Sequence, residues 1–262
     1  TEYYTTTESY TDSNGNGSYD AAYTVTLGAN ALIAGIRTLV GGEGDDGGTG
    51  NSINTSGYGS AGVLFQITDQ DYLANITTLV GGTGVDTLKF SRDDVSVTDE
   101  NVAKLKKIDV LQTANGTNRF LMHNDFYTAG IDSIIGGTGS NIIDMSHPDY
   151  DPLNVTSFDD SITFDMSAGS YSLLVNDSEL RYAKVVGGSR VGSVSITDDI
   201  GMVTDIMFSN LYDAKIGSVS YISGNITLGA ATNSAGNYTI TGNDVVFANN
   251  GALSISTTAT GN

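Results

Sequence analysis

The chain has 262 residues and a formal net charge of −19, with 39% hydrophobic residues, 16% charged residues and 33 glycines. That charge repels nucleic acid and anionic lipid and attracts divalent cations, while the apolar fraction is too high for a disordered acidic tail. There is no cysteine to staple the fold, and no apolar run is long enough to cross a membrane as a helix.

A chain that opens on Thr1 reads as a mature or excised segment, so the lack of a signal peptide says nothing about export. Residues 1–10 (TEYYTTTESY) have the composition of a strand. Residues 12–20 (DSNGNGSYD) set Asp12, Asn14 and Asn16 at alternate places, a glycine at the sixth and Asp20 at the ninth. These are the first nine places of an EF-hand-type calcium loop, although Tyr23 stands where the bidentate glutamate belongs. The other reading is a solvated Asn/Gly turn between strands.

From residue 31 an eleven-residue frame recurs without gaps. It reads IRTLVGGEGDD from Ile36, ITTLVGGTGVD from Ile76, IDVLQTANGTN from Ile108 and IDSIIGGTGSN from Ile131. A weaker copy, YAKVVGGS from Tyr182, has lost the acid. The intervals between the first four starts shorten along the chain, the irregular spacing of a solenoid with variable loops.

The hexad glycines are expected to take positive φ, turning the backbone so that carbonyls point inward, with an oxygen-bearing residue at the sixth place. Gly41, Glu43, Asp45 and Asp46 fill these places in the first copy, and Gly81, Thr83 and Asp86 in the second. Asn118 ends the third copy, and Gly136, Thr138 and Asn141 belong to the fourth. Aspartate offers a hard anionic oxygen and asparagine a weaker neutral one. An all-oxygen set without nitrogen or sulfur ligands suits calcium. Gly/Asx corners that need no ion are the alternative.

The flanks repeat as well, with Ile-Thr-Asp or Val-Thr-Asp at 67–69, 97–99 and 196–198. One unit then reads as loop, strand 87–90, bend 91–94, strand 95–97, polar corner and strand 108–111. Three strands per coil describe a parallel β-helix or a broadened β-roll. Residues 99–109 depart from this, because Val102, Leu105 and Ile108 have helical spacing and Asp99 could cap a turn or two. Beyond residue 155, short strands are expected at 160–166, 171–175, 191–196, 202–208, 217–222, 237–241 and 244–247. The solenoid either continues there or merges into a β-sandwich-like cap.

The stretches GGEGDD, GGTGVDTLKF and GGTGSNIID resemble the repeats of RTX proteins, which leave the cell by type I secretion and fold on meeting calcium. The I-x-x-L-V lead-in and the uneven spacing are most similar to RTX-containing surface-layer proteins and large adhesins. The resemblance covers roughly residues 31–146. It implies that Asp46 and Asp86 ligate calcium, with Asn118 and Asn141 departing from the pattern.

The expectation is therefore an all-β, calcium-binding β-solenoid, parallel β-helix or β-roll-like, with irregular coils and a β-rich C-terminal part. Its parts are an N-terminal strand and EF-like loop (1–30), an RTX-like solenoid (31–155) and a continuing solenoid or sandwich-like cap (156–262). The expected role is a secreted, extracellular or cell-surface structural protein holding several Ca2+ ions. Its expected partners are copies of itself and cell-surface polysaccharide, with neither nucleic acid nor membrane insertion. An adhesin or carbohydrate-binding module, using exposed tyrosines such as Tyr3, Tyr4, Tyr58 and Tyr127, is the second reading. A polysaccharide-active β-helix enzyme is the third. Catalysis is not expected: His123 and His147 are far apart, and adjacent acids such as Asp93 and Asp94 point to opposite faces of a strand.

Overall fold

The structure, a computed structural model, describes residues 9–11, 20–22, 24–40, 51–146, 162–175, 184–187, 192–203, 216–228, 239–241 and 244–247. The chain is strand-rich, its sheets are built almost entirely from parallel pairs, and its helices are few and short. No helix among the described residues is long and apolar enough to cross a membrane. Two compact units divide it, Thr1–Ala114 with Asp125–Ser133, and Asn115–Asn124 with Ile134–Asn262.

The first unit begins with the antiparallel pair β1 (Ser9–Thr11) and β2 (Asp20–Ala22). Then come β3 (Thr24–Thr26), α1 (Ala29–Ile33), β4 (Thr38–Val40) and β5 (Asn51–Asn54). A 3-10 turn (Ser56–Tyr58) leads to β6 (Leu64–Ile67), α2 (Gln70–Asn75), β7 (Ile76–Val80) and β8 (Thr87–Phe90). The unit continues through β9 (Ser96–Val97), α3 (Asp99–Val102), β10 (Leu105–Lys106) and β11 (Val110–Gln112), and it includes α4 (Asp125–Thr128).

Two parallel stacks result, ordered β10-β7-β5-β3 and β11-β8-β6-β4. The first sets Ile53 beside Leu79 and Leu79 beside Leu105, at equal steps along the chain. The second sets Phe65 beside Leu88 and Leu88 beside Leu111, again at equal but shorter steps. All six side chains are buried. Alternation along β6 and β8 sends Phe65, Ile67, Leu88 and Phe90 inward, each contributing about 1.5–3 kcal/mol by its burial. Regular columns of this kind are what hold parallel strands in one register.

After Asp69, where the sequence reading places no helix, the unit turns one. Asp69 caps α2 by accepting from the Asp71 amide at 3.0 Å, and Tyr72 and Leu73 go inward. In the 99–109 stretch the helix is a single turn, and its cap is Thr98 rather than Asp99. Thr98 and Asn101 form a reciprocal capping box, after which Leu105 rejoins the sheet. The Lys104 ammonium donates to the last carbonyls of α2, Leu73 O at 3.0 Å and Ala74 O at 2.5 Å. Orphan groups at the end of this short helix are thus met from the next pass of the chain.

The second unit contains β12 (Thr117–Leu121), most of β13 (Ser133–Ile135), β14 (Ser140–Asp144), β15 (Thr163–Met166), β16 (Ser170–Val175) and β17 (Lys184–Gly187). Farther on are β18 (Gly192–Val203), β19 (Ile216–Leu228), β20 (Thr239–Thr241) and β21 (Asp244–Phe247). Strands β12, β14, β16, β18, β19 and β20 lie side by side in that order, β21 also pairs with β19, and each of these pairs is parallel. Phe120, Ile143, Leu173 and Val194 form its buried column. Parallel pairing therefore persists past residue 155, and no antiparallel, sandwich-like pairing occurs there among the described residues.

Candidate metal centre

Of the expected ligands, Asp12, Asn14, Asn16, Gly41, Glu43, Asp45 and Asp46 lie outside the described residues, and Asp20 opens β2. The hexad from Gly81 to Asp86 joins β7 to β8, and Asp86 is completely buried. Its Oδ1 accepts from the Val63 amide at 2.7 Å, and its Oδ2 accepts from the Gly82 amide at 2.6 Å. The Asp86 amide in turn donates to Asp109 Oδ2 at 2.7 Å. One side chain and its own amide therefore join three successive passes of the chain.

Asp86 heads a column of aspartates. The Asp86 carbonyl accepts from the Asp109 and Val110 amides at 3.0 and 3.1 Å. The Asp109 carbonyl accepts from the Asp132 and Ser133 amides at 2.9 and 3.0 Å. Asp86, Asp109 and Asp132 thus follow one another at equal intervals. Burial raises the Asp86 carboxyl above its ordinary value against its two amide donors, and Asp109 pushes the same way. Burial and then Asp109 also raise Asp132. The ion pairs Arg92–Asp69 and Arg119–Asp144 lie elsewhere, and among the described residues no cation acts to lower Asp86 or Asp132.

The glycines of the second hexad serve a different need from the one expected, and Gly41, Gly42 and Gly44 of the first lie outside the described residues. Positive φ is found at Gly35, Gly59, Gly116 and Gly130, and not at Gly81, Gly82 or Gly84. These three are glycine because the backbones close in on them. A Cβ on Gly81 would strike the Lys107 carbonyl, on Gly82 the Gly59 oxygen at 2.9 Å, and on Gly84 the Ser60 oxygen at 2.5 Å. The Gly81 amide donates to Lys106 O and the Thr83 amide to Gly59 O, both at 2.9 Å.

Asn118 and Asn141 occupy a different column. They are register partners in β12 and β14, and both are completely buried. Asn118 Nδ2 donates to Asn141 Oδ1 at 3.0 Å, and Asn141 Nδ2 donates to Gly137 O at 3.0 Å and Ser170 O at 3.3 Å. The next register position is Tyr171, whose ring lies where a Cβ on Gly192 would be. Gly136 makes room for this ladder, since its Cβ would meet Asn141 Cγ at 2.7 Å and Met166 Sδ at 2.6 Å. The Thr138 hydroxyl donates to Asn115 Oδ1 at 2.7 Å.

The donor sets can be compared with what calcium requires, roughly six to eight oxygens at about 2.3–2.6 Å. Around Asp86 the partners are N–H groups, which suit an anion, while Asn118 donates to Asn141 and Asn141 donates to the Gly137 and Ser170 carbonyls. No cluster of three or more acidic or histidine side chains that could hold a metal occurs among the described residues. At these corners the polar side chains of Asp86, Asn118 and Asn141 are engaged in hydrogen bonds across the passes. What the arrangement supplies is cross-linking of successive passes by buried side chains, each bond contributing about 0.5–1.5 kcal/mol, or more to a charge.

Sequence patterning does not single out Asp109 and Asp132. Their signal is the Ile-Asp pair that opens the third and fourth frames, which the count to the sixth hexad place passes over. Tyr58, expected on an exposed face, is buried, and Tyr127 is half-buried. No family model, no curated protein and no solved structure matches the chain.

Proposed function

We propose that the chain is a secreted, calcium-stabilised β-solenoid with a structural role, a self-associating surface-layer, fibre or matrix subunit. The observation that supports it most is the repetition of parallel strands in register at regular steps, with Phe65 beside Leu88 and Leu88 beside Leu111. Strands in such stacks share one inward apolar column, and coils added end to end extend it. The calcium part rests on the net charge of −19 and on the oxygen-rich stretches 12–20 and 41–46. Cations there would relieve carboxylate repulsion and couple binding to folding.

Thermal unfolding in millimolar calcium and in excess chelator tests the first claim. A cooperative drop on chelation is expected, and an unmoved curve would remove calcium from the reading. Negative-stain imaging tests the second: sheets or filaments are expected with calcium, and a monomer under every condition would defeat self-association.

A carbohydrate-binding role is the second reading, favoured by one observation. Ser172 Oγ lies 2.7 Å from Ser193 Oγ, and the register carries that column on to Ser218 and Thr239. An adjacent run sets Ser195 beside Ser220 and Ser220 beside Thr241. Repeated hydroxyl positions suit a neutral glycan. Binding of the monomer on a glycan array would favour this reading over a purely structural one.

A further inference from the structure

We propose that Asn115–Gly116 is a self-modification site, at which the Asn115 side-chain amide converts without an enzyme to an aspartyl or isoaspartyl linkage. The inference does not depend on calcium or on assembly. Asn115 is exposed, and it is followed by a glycine at φ 85°, which leaves no side chain to hinder attack by the Gly116 nitrogen. This is the one Asn-Gly pair among the described residues. The Asn115 side-chain carbonyl is also polarised. Its Oδ1 accepts from the Thr138 hydroxyl at 2.7 Å and from the Thr138 amide at 3.3 Å. Two donors on one carbonyl oxygen form a small oxyanion site. The Gly116 carbonyl is fixed by the Ser140 amide at 2.9 Å, so the turn is held on both sides.

The step is an acyl transfer without redox change. The Gly116 backbone nitrogen, losing its proton, forms a bond to Asn115 Cγ, and the negative charge collects on Oδ1 beside Thr138. The Cγ–Nδ2 bond then breaks and the nitrogen leaves as ammonia, closing a five-membered succinimide. Water opens that ring at either carbonyl, giving aspartate or, with the main chain rerouted through the side chain, isoaspartate. Either product adds a negative charge just ahead of Thr117, where β12 begins, and isoaspartate lengthens the backbone at the entry to that strand.

Mass-spectrometric peptide mapping of the intact chain, aged at mildly alkaline pH, tests the proposal. The peptide holding Asn115 should gain the mass of an amide-to-carboxylate exchange, while the buried Asn118 and Asn141 stay unchanged. Thr138→Val should slow the conversion about tenfold, less than the roughly 10²–10³ typical of an enclosed oxyanion hole, and Thr138→Ser should restore most of the rate. A merely structural role for Thr138 would have the opposite sign, because loosening the turn speeds attack. The proposal is overturned if Asn115 persists in the folded chain, most plainly if the same peptide converts in denaturant. An unchanged rate in Thr138→Val overturns the part assigned to Thr138.

Discussion

The aspartate column of the first unit and the asparagine column of the second can be set side by side. One runs along the leading ends of parallel strands and the other inside a parallel stack, the step from Asp86 to Asp109 equals that from Asn118 to Asn141, and Asp86, Asn118 and Asn141 are fully buried. Their chemistry is opposite. Asp86 meets two N–H groups, from Val63 and Gly82, and only a carboxylate accepts on both oxygens. Asn141 meets two carbonyls, from Gly137 and Ser170, and a neighbouring amide, so it must donate and accept at once. The identity of the sixth hexad residue follows from what faces it. The difference between acid and amide is thus accounted for without a difference in ion affinity.

The largest effect is expected from Asn141→Asp. A carboxylate oxygen would face the Gly137 and Ser170 carbonyls in a buried site, removing two donors and adding an uncompensated charge. Loss of about 3–5 kcal/mol is expected, measured by denaturant unfolding. If calcium ligation set the preference at this corner, the same change would bring stabilisation in calcium, and that result would break the comparison.

Asp86→Asn comes next. Its Oδ1 could keep the Val63 amide, but its Nδ2 would point a donor at the Gly82 amide. Leaving those groups mismatched costs about 1–3 kcal/mol, partly offset because a desolvated charge is removed. Calorimetry should show a smaller drop than for Asn141→Asp. Equal stability of Asp86→Asn and the parent chain would mean that the two N–H groups do not select a carboxylate.

Legibility in the sequence differs between the two columns. The strand-rich parallel architecture follows from alternation and the recurring frame, and β8, β16 and β21 fall where period-two patterning puts them. The corners are harder to read. Aligning the frames on their leading isoleucine puts Asp86, Asn118 and Asn141 in one class, yet Asp86 immediately precedes β8 while the asparagines lie inside β12 and β14. Spacing alone does not say which sheet a turn enters, and the longer interval between the second and third frames conceals the change. The hexad glycines invite a conformational reading. What demands them is the approach of neighbouring backbones, a long-range fact absent from any local window. Helix α2 escapes the pattern because so short a helix with an Asx cap looks like a polar corner.

The smallest and most selective prediction is a pH dependence of opposite sign in the two units. The Asp86 carboxyl is raised above 3.8, chiefly by burial, so the folded first unit holds its proton more tightly than the unfolded chain. Its contribution to stability is therefore complete below 3.8 and is lost as pH rises through the raised value. Asp144 in the second unit behaves in the other direction. Burial works against its charge, but the Ser146 hydroxyl, Arg119 and the Ser146 amide outweigh it and hold the carboxyl below 3.8. That contribution is present above 3.8 and is lost as pH falls through the lowered value. Hydrogen exchange read by mass spectrometry, corrected for the intrinsic pH dependence of exchange, separates the two. Peptides spanning β6 to β11 should gain protection as pH falls from neutral toward 3.8, and those spanning β12 to β16 should lose it only below that point. Asp86→Asn should flatten the first response and leave the second untouched. A common response of both units would show that the carboxylate column does not set the acid behaviour of the first.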